Sequence, residues 1–169
     1  MKKISFYIFF VIIFGCDSKQ PKTYIYEKLD HSVEYIDPAK ASYNTDFLVC
    51  DEHQIYNYYN PEKATYSKGK NKLREFIMNN YDKKSYTDSG YLNIHFVINC
   101  NGETGRYKVY ENDLDLEPYS FQPDLKTQLL ELTKKLGRWN PNVIRGQKKD
   151  AYMYISYKLK NGEIIEILP

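Results

Sequence analysis

The sequence predicts an α+β fold: a small antiparallel sheet of three to four strands with two helices packed on one face. Two observations carry this expectation. Residues 90–99 and 151–160 alternate apolar with polar side chains, the period of half-buried strands. Residues 70–81 and 123–136 instead repeat their apolar side chains at the three- and four-residue spacing of amphipathic helices. Each helix has one apolar stripe and each strand one apolar face, and a two-layer sandwich buries both. A chain of 169 residues, 42% apolar and 27% charged, has enough carbon for one such core but hardly for two full domains.

The elements follow in order. Phe47-Leu48-Val49-Cys50 is a short apolar run, and the aromatic stretch from Ile55 to Tyr59 is ambiguous between helix and strand until Asn60-Pro61 ends it. Leu73, Phe76, Ile77 and Tyr81 then mark one face of a helix. A polar loop from Tyr81 leads to Gly90, where the central strand begins. Leu92, Ile94, Phe96 and Ile98 share its inner face, while Tyr91, Asn93, His95 and Asn99 point the other way. Asn101-Gly102 tolerates the positive φ angles of a tight turn, and Gly105 opens the return run Arg106 to Tyr110. An acidic, irregular stretch from Glu111 to Tyr119 follows. Pro123 suits a first helical turn, Leu125, Leu129, Leu132 and Leu136 form the stripe, and Gly137 caps the far end. Trp139-Asn140-Pro141 and Gly146 read as a turn-rich connector, with the single tryptophan plugging the junction of helix and sheet. Ala151, Met153, Ile155, Tyr157 and Leu159 line the inner face of another strand, Asn161-Gly162 makes a turn, and Glu163 to Leu168 is a short terminal strand.

Residues 1–16 read as a leader. Met1-Lys2-Lys3 is a basic start, and Ile4 to Phe14 is apolar but too short to span a bilayer stably. Ile13-Phe14-Gly15-Cys16 resembles a bacterial lipobox, which implies cleavage before Cys16 and lipidation of its sulfur. Residues 17–45 carry scattered charges, Pro21 and Pro38 and no sustained period, and read as a flexible tether to a domain spanning 46–169. Export places the chain in the periplasm of a cell envelope, on the outer membrane in preference to the inner, and that compartment is oxidising. Cys50 and Cys100 are then expected to pair as a disulfide; two buried free thiols are the competing reading.

Composition excludes some partners. Net charge is +2, and removal of Lys2 and Lys3 leaves basic and acidic residues balanced. Neither a basic stripe nor an acidic tail is present, so nucleic acid is not an expected partner. His31, His53 and His95 lack metal-ligand spacing, and Asp113, Asp115 and Glu117 beside Glu111 lack the glycine and distal glutamate of a calcium loop. No nucleophile motif or phosphate-cradling glycine loop occurs, so neither catalysis nor a cofactor is expected. The chain holds eighteen tyrosines. Tyr91, Tyr152 and Tyr154 with His95 would form an aromatic platform on the outer sheet face, unless the 46–60 segment shields it.

The run from Lys70 to Pro169 resembles the carboxy-terminal domain of TonB-like proteins. Its marks here are Ile98-Asn99-Cys100-Asn101-Gly102, the Leu125 to Leu136 stripe, Trp139-Asn140-Pro141 and Gly146. The resemblance implies binding by pairing of a free sheet edge with an extended partner segment, where main-chain hydrogen bonds give affinity and alternate side chains give selectivity. The chain departs from TonB itself in having no transmembrane helix and no long proline-rich spacer. A tether of about thirty residues reaches at most about 3.5 Å per residue, too little to carry a motor stroke across the periplasm. The expected role is a lipid-anchored module that binds or scaffolds an envelope protein through Ile164, Ile165 and Ile167 of the terminal strand, with Tyr152, Tyr154 and His95 as further contacts. The alternatives are a structural lipoprotein that contacts the cell wall or pairs with itself as a homodimer, and a hydrolase site assembled from tyrosine, His95 and the acidic loop.

Overall fold

The computed structural model describes residues 36–37, 41, 46–57 and 63–168. The leader, Cys16, and all of the 17–45 stretch except 36–37 and 41 lie outside the described residues. The order is β1 (Thr65–Tyr66), α1 (Gly69–Asn80), β2 (Gly90–Ile98), β3 (Thr104–Asn112), α2 (Pro123–Lys134), β4 (Trp139–Asn140), β5 (Asn142–Ile144), β6 (Gln147–Lys149), β7 (Ala151–Lys160) and β8 (Glu163–Leu168). The main sheet runs β3-β2-β7-β8, antiparallel at every step. This is the α+β class read from the alternation and the helical spacing.

Both helices lie on one side of that sheet. Leu73 and Ile77 of α1 and Leu125, Leu129 and Leu132 of α2 share a single core with Leu92, Ile94, Phe96, Ile98, Met153, Ile155, Tyr157 and Leu159. Register explains the match: Ile94 sits opposite Ile155 and Phe96 opposite Met153, so inner-face residues of the central strands lie side by side. Each fully buried leucine or isoleucine contributes about 2 kcal/mol through the water it sheds. A polar pair deep in this layer is satisfied, with Thr133 Oγ1 and the Tyr157 hydroxyl 2.8 Å apart. Burial pushes the Tyr157 phenol above its ordinary range.

The connector after α2 differs from expectation. Residues 142–149 form a small hairpin in which Asn142 faces Lys149, turning at Arg145 and Gly146, both at positive φ. Trp139 also pairs with Tyr66, and Asn140 with Thr65, in a two-residue ladder between segments far apart in sequence. The tryptophan does plug the junction: its ring meets Phe96 at 5.4 Å and Tyr66 at 5.5 Å, edge to face.

On the other sheet face lies a second, smaller core. Ile36, Val97 and Tyr152 are buried there, with Ala41, Phe47, Val49 and Ile55 packed against them. Phe47 lies directly over Gly105, where any side chain would collide with its ring. Ile36 and Ala41 fall inside the stretch read as a tether, yet they pack on the sheet because that face carries apolar Val97 and Tyr152.

Candidate functional site

The β8 edge is built by three features of the chain. Asn161-Gly162 reverses β7 into β8 with both residues at positive φ. A register shift between Lys158 and Leu159 then breaks strict alternation along β8. Ile164 and Ile167 consequently enter the core, and Ile165 turns outward, 51% exposed. This corrects the expectation that all three isoleucines face a partner, because the bulge sets the inward residues three apart instead of two. What β8 offers is its main chain and Ile165. Among the described residues no strand pairs with its outer side.

Helix α1 runs beside this edge. Arg74 donates from Nε to the Ile167 carbonyl at 3.3 Å, and Met78 lies 51% exposed one turn further on. Arg74, Met78, Ile165 and Glu166 border a cleft of about 270 Å³. The Tyr81 hydroxyl donates to the Gly162 carbonyl at 2.7 Å, and Lys83 pairs with Glu163 at 2.9 Å, so the start of the strand is tied to the loop after α1. The rest of the edge keeps apolar exposed side chains, Ile165 and Leu168, beside main chain.

The outer-face aromatics divide. Tyr152 is 7% exposed beneath the 47–56 segment, so it belongs to the second core and not to a platform. His95 and Tyr154 are half-buried and stack at 5.6 Å, and Tyr110 meets His95 edge-on at 4.8 Å. Burial chiefly, and then the charge of Lys108, lower the His95 imidazole from 6.5 to about 4. The unfolded chain protonates this ring near its ordinary value while the folded chain resists until about 4. Within that window the unfolded state binds more protons, so stability falls as pH is lowered. Urea unfolding should show a loss of about 2 kcal/mol from this group between pH 7 and pH 4.5, and His95→Phe should remove that share of the slope. An unchanged slope in the variant would refute the assignment.

The acidic loop is occupied with its own folding. Asp113 Oδ1 accepts the N–H groups of Asp115 and Glu117 at 2.9 and 3.0 Å. Glu111 accepts from Lys126 Nζ and the Phe121 N–H, both at 2.8 Å, on the helix side of the sheet. His95 thus has aromatic and cationic neighbours on the opposite face, and these carboxylates are engaged elsewhere.

Cys50 and Cys100 are joined as a disulfide. Buried Asp150 lies against them, yet its oxygens accept the N–H of Asp51 at 2.7 Å and of Cys100 at 2.8 Å. With the sulfurs bonded to each other, this group brings no thiolate to a metal. Asn99 reinforces the junction: its Oδ1 accepts the N–H groups of Asn101 and Glu103, and its Nδ2 donates to the Leu48 carbonyl, each at 3.0 Å. No local signal marks the Asp150 role, because its partners lie 99 and 50 residues away.

Among the described residues no helix is long and apolar enough to cross a membrane. Comparison of the chain with protein-family models, curated proteins and solved structures finds no match in any of the three.

Proposed function

We propose that this chain is a lipid-anchored binding module of the bacterial periplasm that captures an extended segment of an envelope protein along the outer side of β8, with no coupling to a motor. The observation that carries the reading is the single-sided pairing of β8 in the order β3-β2-β7-β8, with exposed Ile165, Met78 and Leu168 around it. An added strand would draw main-chain hydrogen bonds from that edge and set alternate side chains against the cleft at Arg74 and Met78. The resemblance to TonB-like carboxy-terminal domains favours the same edge. The marks of that resemblance, the Asn99 to Gly102 turn and Trp139, meet in space through a Trp139 N–H donated to the Gly102 carbonyl at 3.0 Å. Attachment through Cys16 supplies the envelope address in this reading.

The test is photocross-linking in intact cells. A photoreactive residue at Ile165 should give one dominant adduct with an envelope protein, and the same residue at Asp115 should not. An adduct with a second copy of this chain would replace the proposal with edge-to-edge dimerisation, which the same exposed edge permits. Adducts to cell-wall polymer alone would assign a structural role instead.

A further inference from the structure

A larger hollow, of about 610 Å³, lies between α1, the β1–β4 ladder and the ends of β7 and β8. Its walls include Ala64, Tyr66, Leu73, Trp139, Met153 and Ile167, and its volume lies in the range of small-ligand sites. Lys63, Lys70 and Arg74 also line it, while among the described residues no aspartate or glutamate does. Among the described residues none of these cations forms an ion pair; the lysines and arginine that do so are others. Lys63 and Lys70 are exposed. Helix α1 begins at the same place, with no acidic residue in its first turn and no side chain capping it, so its positive end adds to the attraction for an anion.

We infer that the hollow binds an aliphatic carboxylate, a medium-chain fatty acid, with its hydrocarbon against Tyr66, Leu73, Trp139 and Met153 and its carboxylate among Lys63, Lys70 and Arg74. Charge and wall chemistry choose this occupant over a peptide. A peptide brings an amide donor and acceptor with every residue, and a lining that is more apolar than polar would leave most of them unpaired. A hydrocarbon chain has none to satisfy, and its single charge is met at the cationic rim. A strand added to β8 would use the smaller cleft, which shares Arg74 and Ile167 with the hollow, but the inference rests on the hollow's own walls and cations and does not require the edge reading.

The experiment uses the full chain in cells given a dodecanoic acid with a diazirine on its chain, followed by irradiation and mapping of adducts by mass spectrometry. Adducts should concentrate on the peptides carrying Tyr66, Leu73, Trp139 and Met153 and be competed by excess dodecanoate. The Lys63→Glu/Lys70→Glu variant, altered only at exposed positions and checked for an unchanged melt, should take about tenfold less label. The corresponding diazirine dodecylamine should label the hollow weakly. Equal labelling by the amine, label unchanged in the charge-reversed variant, or adducts scattered over the surface or confined to residues 4–14 would overturn the inference. Displacement of the label by a pool of acidic heptapeptides, with excess dodecanoate ineffective, would give the hollow to a polypeptide and overturn it equally.

Discussion

Replacing both Cys50 and Cys100 with alanine should cost about 4 kcal/mol of stability and lower the melting temperature by about 15 °C. The bridge closes a loop of sequence separation 50, and the cross-link removes the corresponding entropy from the unfolded chain. Its position makes the loss local as well as global. The bond fastens the 46–56 segment to the end of β2, and that segment is what keeps water from Val97 and Tyr152. Without it the segment is held by the Asn99 side chain on the Leu48 carbonyl, by Asp150 on the Asp51 N–H, and by the Tyr56 bridge to β7. These contacts should preserve the native arrangement while letting it open more often, so hydrogen exchange at the Tyr152 N–H should quicken more than at Ile94. Thermal melts of wild type and variant, with and without reductant, decide the matter. A difference below about 1 kcal/mol would mean that the unfolded chain is already constrained there.

Local signals carried most of the fold. The strands at Gly90–Ile98 and Ala151–Lys160 and the helix at Pro123–Lys134 were legible because a period of 2 or 3.6, a proline at the start and a glycine beyond the end are all written within a dozen residues. Long-range pairings leave no such trace. The Tyr66–Trp139 ladder joins residues far apart in the chain, and its strands are two residues each. The β5–β6 hairpin is short enough that its Arg145-Gly146 turn outweighs its strands in the pattern.

The candidate site was legible only in part, for a related reason. Alternation gives the phase of a side chain and not what covers it: Tyr152 and Tyr154 share one phase, yet the 47–56 segment buries the first. It also assumes an unbroken ladder, and the register shift opposite Leu159 sends Ile164 and Ile167 inward while Ile165 stays out. The disulfide was accessible because it followed from counting cysteines in a chain expected to be exported, which needs no geometry. The hollow at Trp139 had no sequence signal, since its walls come from residues 63 to 74, 139 to 140 and the ends of two strands.

Gly102→Ala should destabilise the protein by about 2–4 kcal/mol, whereas Gly137→Ala should cost about 1 kcal/mol. Both glycines have φ of +80°, so both variants incur the strain of a left-handed L-residue. They differ in what stands nearby. A β-carbon at Gly137 meets nothing within 4 Å, but one at Gly102 would collide with the Trp139 carbonyl. That carbonyl cannot simply retreat, because the Trp139 N–H donates to Gly102 at 3.0 Å and the ring is wedged against Phe96 and Tyr66. Relief must come from moving the tryptophan backbone, and with it the β1–β4 ladder. Trp139 is the only tryptophan in the chain, so its emission reports this directly: it should shift to longer wavelength in Gly102→Ala and stay unchanged in Gly137→Ala. Equal costs for the two substitutions would mean that backbone strain alone accounts for Gly102 and that the contact between the turn and the tryptophan contributes nothing to holding the sandwich closed.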